Sequence, residues 1–352
     1  ELNSEYMHLA QIDGVTYGIP ERAARPFVGS SLAIRKSILE AVGMEVPSTL
    51  DEFYDLLVAI KKNTNLIPMT GYQAIIPEIS GAFGIATGWI EEGDKLVNQF
   101  EYEGMKEYLA FMNKLYEEGL LDPEWPVNKD ATMKEKFTRG QAAVMPYGWG
   151  MASQVTAGLK EVFPDDEIVI IPSLAGKDGT RTAWMQSGGV GFYIAIPEWS
   201  KNKVDAMKWL EMKVQPELFN LMVNGVEGVH YDYDEEGMRY PILPIFNDER
   251  GNADWFMTSS RVKDYEDQWL VRVRKDEVLY DAFMQMQIQM EWAKPDPLLH
   301  APPLPAISKN AIKLDQFAQD YVIKVIAGAE DLANYDQFLN QYNRMGGADM
   351  TK

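Results

Sequence analysis

The sequence predicts an α/β fold built as two lobes. The chain has 352 residues, of which 46% are hydrophobic, and this length exceeds what one hydrophobic core usually serves. Three strand-like runs adjoin helical segments rather than hairpin partners, and this alternation is typical of α/β architecture. The runs cover residues 142–145, 167–171 and 190–196.

The first elements are short and locally specified. Residues 13–20, DGVTYGIP, predict a tight turn at Asp13 and Gly14 that leads into a strand. Residues 32–43 alternate apolar and charged side chains and end in glycine, which predicts a strand edge followed by a helix.

Two amphipathic helices follow. The first covers residues 47–62, where Thr49 and Glu52 have the spacing of a capping box. The second covers about residues 102–118 and ends at Gly119, a residue type that commonly terminates helices. Apolar residues recur along one face of each helix. These are Leu50, Phe53, Leu57 and Ile60 in the first helix and Met105, Leu109, Met112 and Tyr116 in the second.

The second half of the chain returns to helices between extended segments. Residues 204–213 and 217–223 predict helices, and the acidic stretch 231–237 predicts the turn of a hairpin. Residues 294–305, KPDPLLHAPPLP, are punctuated by proline and are expected to be an extended crossover between lobes. Residues 308–343 are predicted to be largely helical.

Charge and composition exclude several classes of partner and site. The net charge is −20 at pH 7, which argues against nucleic acid as a partner because the phosphate backbone calls for basic patches. The chain contains no cysteine, so disulfides, cysteine zinc sites and thiol nucleophiles are excluded. No apolar run approaches the roughly 20 residues that a membrane-spanning helix needs.

The sequence offers no constellation that indicates catalysis. The three histidines, His8, His230 and His300, include no pair at a helical metal-binding spacing. The sequence has no G-x-S-x-G elbow and no phosphate-binding loop. Residues 232–237 resemble part of a calcium loop, but its twelfth position is Leu243 where a bidentate glutamate is required. We therefore expect neither an enzyme nor a bound metal or cofactor.

Six segments occur in an order that carries a family resemblance. They are DGVTYGIP, LAIRKSILEAVGMEVPSTLDEFYDLLVAI, YLAFMNKLYEEGLLDPEW, KFTRGQAAVMPYGWG, NGVEGVHYDYDEEG and VIAGAEDLANYDQFLNQYNRMGGADM. Together they resemble the extracellular solute-binding lipoproteins (family 1) of bacterial ABC sugar importers, in the Gram-positive branch of the group that includes maltose-binding protein. Each segment consists of common residues, so the specificity of the resemblance lies in their order and spacing.

The resemblance implies a two-lobed, type II periplasmic-binding-protein-like fold with the ligand cleft between the lobes. It assigns residues 1–24 and 190–297 to the N-terminal lobe, and residues 25–189 and 298–352 to the C-terminal lobe. Members of the family usually carry further residues upstream of the DGxxYGIP segment. We therefore expect the N-terminal lobe to be incomplete in this chain.

Trp149 is the leading candidate for ligand contact. It occupies the last position of the pattern FxxGxAAVMxxGW, residues 137–149, and the resemblance implies a sugar-stacking tryptophan there. A pyranose presents an apolar C–H face that an aromatic ring can cover. Glycines on both sides are expected to let the ring stand out from the end of a strand, whereas the alternative is a tryptophan that fills a local core. Tyr147 is expected to share this region.

Two further regions are candidates. The resemblance implies a second crossing between lobes near residues 187–192, which begins at Ser187 and is preceded by Trp184. The alternative for Trp184 is packing against the proline-rich segment. Tyr72 and Gln73 correspond to a loop that carries ligand groups in the maltose-binding branch.

Two arginines lie at the first crossing between lobes that the resemblance implies, near residues 19–27. The family places ligand-contacting side chains in the loop that holds Arg22 and Arg25, and guanidinium groups suit an anionic or highly hydroxylated ligand. The alternative is that one of them neutralises Glu21 at the surface.

Taken with the resemblance, these residues predict a protein that captures an oligosaccharide or sugar derivative and delivers it to an ABC importer by cleft closure. The expected partners are a carbohydrate and the membrane permease subunits, with the protein itself a monomer. It is expected at the extracellular face of the membrane, anchored by lipid through an upstream segment. The alternatives are a non-catalytic cell-surface binding or scaffold protein and a carbohydrate-active enzyme.

Overall fold

The structure is a computed structural model that describes residues 4–22, 26–186, 190–253 and 265–351. Its contacts divide the chain into two compact units. Unit 1 consists of Glu1–Pro26, Ser187–Asp281 and Leu299–Pro303, and unit 2 consists of Phe27–Gln186, Ala282–Leu298 and Leu304–Lys352. Both units combine helices with strands, as the sequence predicts.

The strands are short and fall into six small sheets in the described part of the chain. In chain order they are β1 (Gln11–Ile12), β2 (Val15–Thr16), β3 (Ile19–Arg22), β4 (Phe27–Val28), β5 (Ser30–Arg35), β6 (Ile67–Met69), β7 (Trp89–Glu92), β8 (Lys95–Asn98), β9 (Ala142–Gly148), β10 (Ile168–Ile171), β11 (Ala183–Gln186), β12 (Val190–Ile194), β13 (Tyr231–Tyr233), β14 (Arg239–Pro241) and β15 (Ala293–Lys294).

The helices account for most of the regular structure. They are α1 (Lys36–Val42), α2 (Leu50–Asn63), α3 (Pro77–Ser80), α4 (Gly104–Glu117), α5 (Asp130–Thr138), α6 (Ala152–Val162), α7 (Lys203–Lys213), α8 (Pro216–Val223), α9 (Ile245–Arg250), α10 (Tyr265–Val273), α11 (Glu277–Met286), α12 (Pro305–Ile326), α13 (Tyr335–Tyr342) and α14 (Ala348–Met350). Within the described ranges, no helix combines the length and apolar character that crossing a bilayer requires.

A four-stranded mixed sheet organises unit 2, in the order β10–β5–β9–β6. β5 runs antiparallel to both β9 and β10, whereas β6 runs parallel to β9. Ser30 at the start of β5 lies opposite Gly148 at the end of β9. The carboxyl ends of β6 and β9 and the beginning of β5 therefore share one edge of the sheet, and the loops that follow β6 and β9 leave from that edge.

The helices that cover this sheet are formed as the sequence predicts. Thr49 Oγ1 accepts a hydrogen bond from the Glu52 backbone N–H at 3.2 Å, and Glu52 Oε2 accepts one from the Thr49 N–H at 3.1 Å. This confirms the capping box at the start of α2. Gly119 follows α4 with a φ of 62°, a left-handed conformation that favours glycine. The predicted apolar faces of both helices lie largely in one core with β5 and β9.

Unit 1 contains the two turns predicted from sequence, and each of them closes a hairpin. Asp13 and Gly14 have φ values of 50° and 78° in the turn between β1 and β2, as a two-residue hairpin turn requires. In the acidic turn between β13 and β14, Asp234 accepts hydrogen bonds from the Met238 N–H at 2.7 Å and from Arg274 Nη1 at 2.9 Å. The carboxylate of Asp234 therefore stabilises the turn and binds Arg274.

The boundaries of the units differ from those of the predicted lobes in more than one segment. Leu299–Pro303 lies in unit 1, although the C-terminal lobe is predicted to include it. Residues 282–297 were assigned to the N-terminal lobe, yet Ala282–Leu298 lies in unit 2. The reason is a buried amide: Gln289 Nε2 donates to Ser30 O at 3.1 Å, and Gln289 Oε1 accepts from Ser173. Both partners of Gln289 belong to the four-stranded sheet or to the loop that leaves β10.

Candidate ligand-binding site

A pocket of about 480 Å³ opens in unit 2. Its walls come from the loop after β6, the beginning of α3, residues 85–88, residues 99–100, β11 and α12. Three residues that the sequence singled out, Tyr72, Gln73 and Trp184, line this one pocket. Trp184 is more than 100 positions from the adjacent pair Tyr72 and Gln73, so only the fold brings it to them.

Two aromatic side chains of the pocket keep much of their surface open. Tyr72 is 37% exposed and Trp184 is 38% exposed. Aromatic residues with one buried side and one open face suit contact with apolar faces of a ligand. Trp184 also lies beside Lys294, the first residue of the proline-rich segment, in the pairing of β11 with β15.

Four polar side chains of the pocket are unpaired within the described part of the chain. Gln73, Gln99, Asp315 and Gln319 line it, and none has a hydrogen-bond partner among the described residues. Primary amides offer both donors and acceptors, whereas a carboxylate offers acceptors alone. Burial by the pocket walls raises the pKa of Asp315. The pocket therefore presents hydrogen-bonding groups that the protein itself does not use.

Trp149 lies outside this pocket, at the edge of the sheet where β9 ends. It begins a short 3₁₀ turn, Trp149–Met151, and its backbone N–H donates to Gly29 O at 3.1 Å. The half-buried indole ring meets two other aromatic rings edge-on. The ring centroids are 6.1 Å from Phe27 and 5.4 Å from Phe283. Trp149 is therefore held by two aromatic partners from distant parts of the chain.

The glycines beside Trp149 do not explain its position. Gly148 has a φ of −98°, and neither Gly148 nor Gly150 adopts the left-handed conformation that only glycine takes easily. A Cβ on Gly150 would meet nothing within 4 Å, and one on Gly148 would make ordinary contacts. The expectation that backbone freedom presents the ring is wrong, because Phe27 and Phe283 fix its orientation.

Tyr147 is a core residue. It is 3% exposed and packs with Met133 and Val155 beneath the sheet. Burial raises the pKa of its hydroxyl to about 12, opposed by a hydrogen bond with Thr156. The expectation that Tyr147 shares a ligand surface with Trp149 does not fit this burial. Trp149 packs against the same cluster as Tyr147, but it lies in the 3₁₀ turn that follows the strand and is only half-buried.

The remaining sequence candidates have little structural description. Arg22 is the last residue of β3, and nothing is described of its side chain, while Arg25 and Ser187 lie outside the described residues. The proposed surface partner of the arginines is not at the surface, since Glu21 is 1% exposed. Its charge acts on Lys213, whose pKa is lowered by burial and raised in part by Glu21.

The geometry agrees with comparisons to known proteins. Residues 4–217 match the model of the family described as bacterial extracellular solute-binding protein. The chain belongs to this family. The solute-binding protein is 42% identical over 247 residues to an uncharacterized protein in the butB 5′ region of Niallia circulans, covering 70% of this chain and 96% of that one. It is 25% identical over 370 residues to lipoprotein LipO of Bacillus subtilis, covering 97% and 71%.

A solved structure extends the comparison to the fold. The alginate-binding protein AlgQ2 superposes on the solute-binding protein with a TM-score of 0.70 at 17% identity, covering 98% of this chain and 75% of that chain. At this identity the likeness concerns the fold alone, and it confirms the type II periplasmic-binding-protein-like class. The resemblance to bacterial extracellular solute-binding proteins is likewise confirmed.

The solute-binding protein supports the loop of Tyr72 with a buried polar cluster that the sequence did not reveal. Lys136 Nζ lies 2.7 Å from Asp122 Oδ2, which also accepts from Thr70 Oγ1 at 2.8 Å. Asn128 Nδ2 donates to Asp122 at 2.8 Å and to Gly71 O at 3.1 Å.

These contacts determine the charge state of the cluster. Desolvation alone would raise the pKa of Asp122, but hydrogen bonds from Lys136, Asn128 and Thr70 lower it. The ionised carboxylate thus fixes the backbone immediately before Tyr72. The partners come from a strand end, a loop and α5, and no local sequence pattern links them.

Proposed function

We propose that the protein captures an oligosaccharide or sugar derivative in the pocket of unit 2 and delivers it to an ABC importer without chemical change. The observation that carries the proposal is the combination of Trp184 and Tyr72 with four polar side chains that have no described partner. Saccharides pair apolar C–H faces with many hydroxyl groups, and this lining offers both kinds of contact.

Trp149 is proposed as a second ligand contact, at the edge where the loops leave β6 and β9. Arg22, Arg25 and Ser187 are proposed from the family resemblance alone. The capture mechanism is closure of two lobes on the ligand, for which binding must favour the closed form over the open one. Tyr147 is not part of this proposal because it is buried.

The proposed partners follow from membership of the family. The loaded monomer delivers its ligand to permease subunits in the membrane. The similarity to lipoprotein LipO supports attachment to the extracellular face of the membrane through a lipid on an upstream segment. A non-catalytic scaffold would need neither the open aromatic faces nor the unpaired amides of the pocket.

Isothermal titration against a panel of oligosaccharides tests the proposal, with Trp184→Ala as the pocket variant. Trp199→Ala is the matched control, because Trp199 is 83% exposed and does not line the pocket. One class of saccharide is expected to bind the wild type and the control alike, and to bind Trp184→Ala at least about tenfold more weakly. Equal saccharide affinity in both variants would show that the pocket is not the binding site. Failure of the wild type to bind any saccharide of the panel would contradict the proposal that the ligand is a saccharide.

A further inference from the structure

We infer that the pocket selects uncharged saccharides over uronates and that Asp315 is the residue that makes this selection. The inference rests on the proposed function, since it concerns the ligand class of the same pocket. It is independent of the ligand named for AlgQ2, because a likeness at 17% identity carries the fold and not the ligand.

The charge of the lining is the first observation. Among the described residues that line the pocket, Asp315 is the one that carries a charge at neutral pH. The other polar groups are amides and hydroxyls, which bind hydroxyl groups without a preference for charge. A uronate carboxylate that enters would therefore meet a like charge and no lysine or arginine of the lining.

The position of Asp315 is the second observation. Asp315, Gln319 and Ile323 follow one another at intervals of four along α12 and line the pocket together. Residues at this spacing lie on one face of a helix. Asp315 is thus held by a long helix, and its neighbour one turn on is an amide that cannot neutralise it.

The nearby cations of unit 2 are already engaged. Lys134 pairs with Asp130 at 2.7 Å, and both charges act on the hydroxyl of Tyr72, with opposite effects on its pKa. Arg181 lies over the ring of Trp292 at 3.4 Å. Neither cation lines the pocket, whereas Asp315 does, and the buried Glu78 adds a second negative charge that acts on Tyr72. Asp315 is exposed on α12, although desolvation raises its pKa, so water screens part of its repulsion of a second carboxylate.

Neutral sugar rings can donate hydrogen bonds from their hydroxyl groups to the carboxylate of Asp315. A carboxylate accepts hydrogen bonds from two neighbouring sugar hydroxyls, and such charge-assisted bonds are stronger than those between neutral groups. The same group therefore favours neutral rings and disfavours acidic ones. Specificity of this kind combines an attractive contact with a repulsive one.

The test uses matched probes and the full chain. Isothermal titration is run with oligogalacturonides and mannuronate oligomers, and with the same oligomers after their carboxyl groups are reduced to alcohols. The wild type is expected to bind the reduced probes at least about tenfold more tightly than their acidic parents. Asp315→Asn is expected to narrow this preference to within about threefold. A second variant, Asp315→Ser, checks that the amide itself adds no new contact.

The control removes the same charge from the same helix. Asp320 pairs with Gln316 at 3.0 Å and does not line the pocket, so Asp320→Asn should keep the wild-type preference. Equal binding of acidic and reduced probes by the wild type would overturn the inference, as would an unchanged preference in both Asp315 variants. Those results would leave the proposed function standing. Failure of every probe to bind every protein would instead overturn the proposed function.

Discussion

Gln289 Oε1 accepts two hydrogen bonds from Ser173, one from the backbone N–H at 2.8 Å and one from Oγ at 2.9 Å. The amide is fully buried, and its Nε2 donates to Ser30 O. One side chain thereby joins a segment late in the chain to the sheet of unit 2.

Gln289→Leu should destabilise the protein by about 1–3 kcal/mol, because it leaves the buried N–H and hydroxyl of Ser173 without an acceptor. Urea unfolding measures the change. Gln285→Leu is the control, since Gln285 lies exposed on α11 and should change stability by less than about 0.5 kcal/mol. Equal effects from the two substitutions would show that the Gln289 contacts add nothing to stability.

Removal of the Lys136 charge should lower the free energy of unfolding far more than removal of the nearby Lys134 charge. Lys136→Met leaves the buried Asp122 carboxylate without its cation, which is expected to cost about 3–5 kcal/mol. Lys134→Met breaks a partly exposed pair with Asp130 one helical turn apart, and its cost should stay below about 1 kcal/mol. Urea unfolding of both variants provides the comparison, and similar costs would contradict the importance of the cluster.

The same cluster predicts the direction of an acid effect. Hydrogen bonds lower the pKa of Asp122 below its ordinary value of 3.8 despite burial. Its contribution to stability is therefore present above pH 3.8 and lost as pH falls through the lower folded pKa. The difference in unfolding free energy between wild type and Asp122→Asn should shrink when pH is lowered from about 5 through this range. A difference that does not change with pH would contradict an ionised Asp122.

Alanine substitutions should show that the fold requires glycine at position 140 but not at position 150. Gly140 has a φ of 72°, and a Cβ there would lie 2.5 Å from Cζ of Phe163. Gly140→Ala should cost at least about 1–2 kcal/mol from the left-handed conformation alone. Gly150→Ala, with no atom within 4 Å of the new Cβ, should leave the melting temperature and saccharide affinity unchanged. A loss of saccharide affinity in Gly150→Ala would instead show that the backbone freedom of this glycine contributes to ligand binding.

Local patterns in the sequence predicted local structure well and tertiary neighbours poorly. The capping box of Thr49 and Glu52 depends on residues three apart, so it was readable without the fold. Asp315 reaches the pocket of Trp184 from 131 positions later, and no periodicity indicates which face of α12 meets β11. The burial of Tyr147 could not be read from the sequence because residues 142–147 are all buried in β9, so the strand shows no alternation of buried and exposed positions.

Trp149 provides the test of whether an aromatic group at the sheet edge binds ligand or only supports the fold. Trp149→Ala removes the edge contacts with Phe27 and Phe283, so some loss of stability is expected together with about 1–3 kcal/mol of saccharide affinity. Trp149→Phe keeps an aromatic edge for both partners and should recover most of the stability, while its smaller face recovers only part of the affinity. Thermal melts and isothermal titration on both variants separate the two roles. If affinity followed stability in both variants, or did not change in either, Trp149 would be a support for Phe27 and Phe283 and the ligand contacts would belong to the pocket of Trp184.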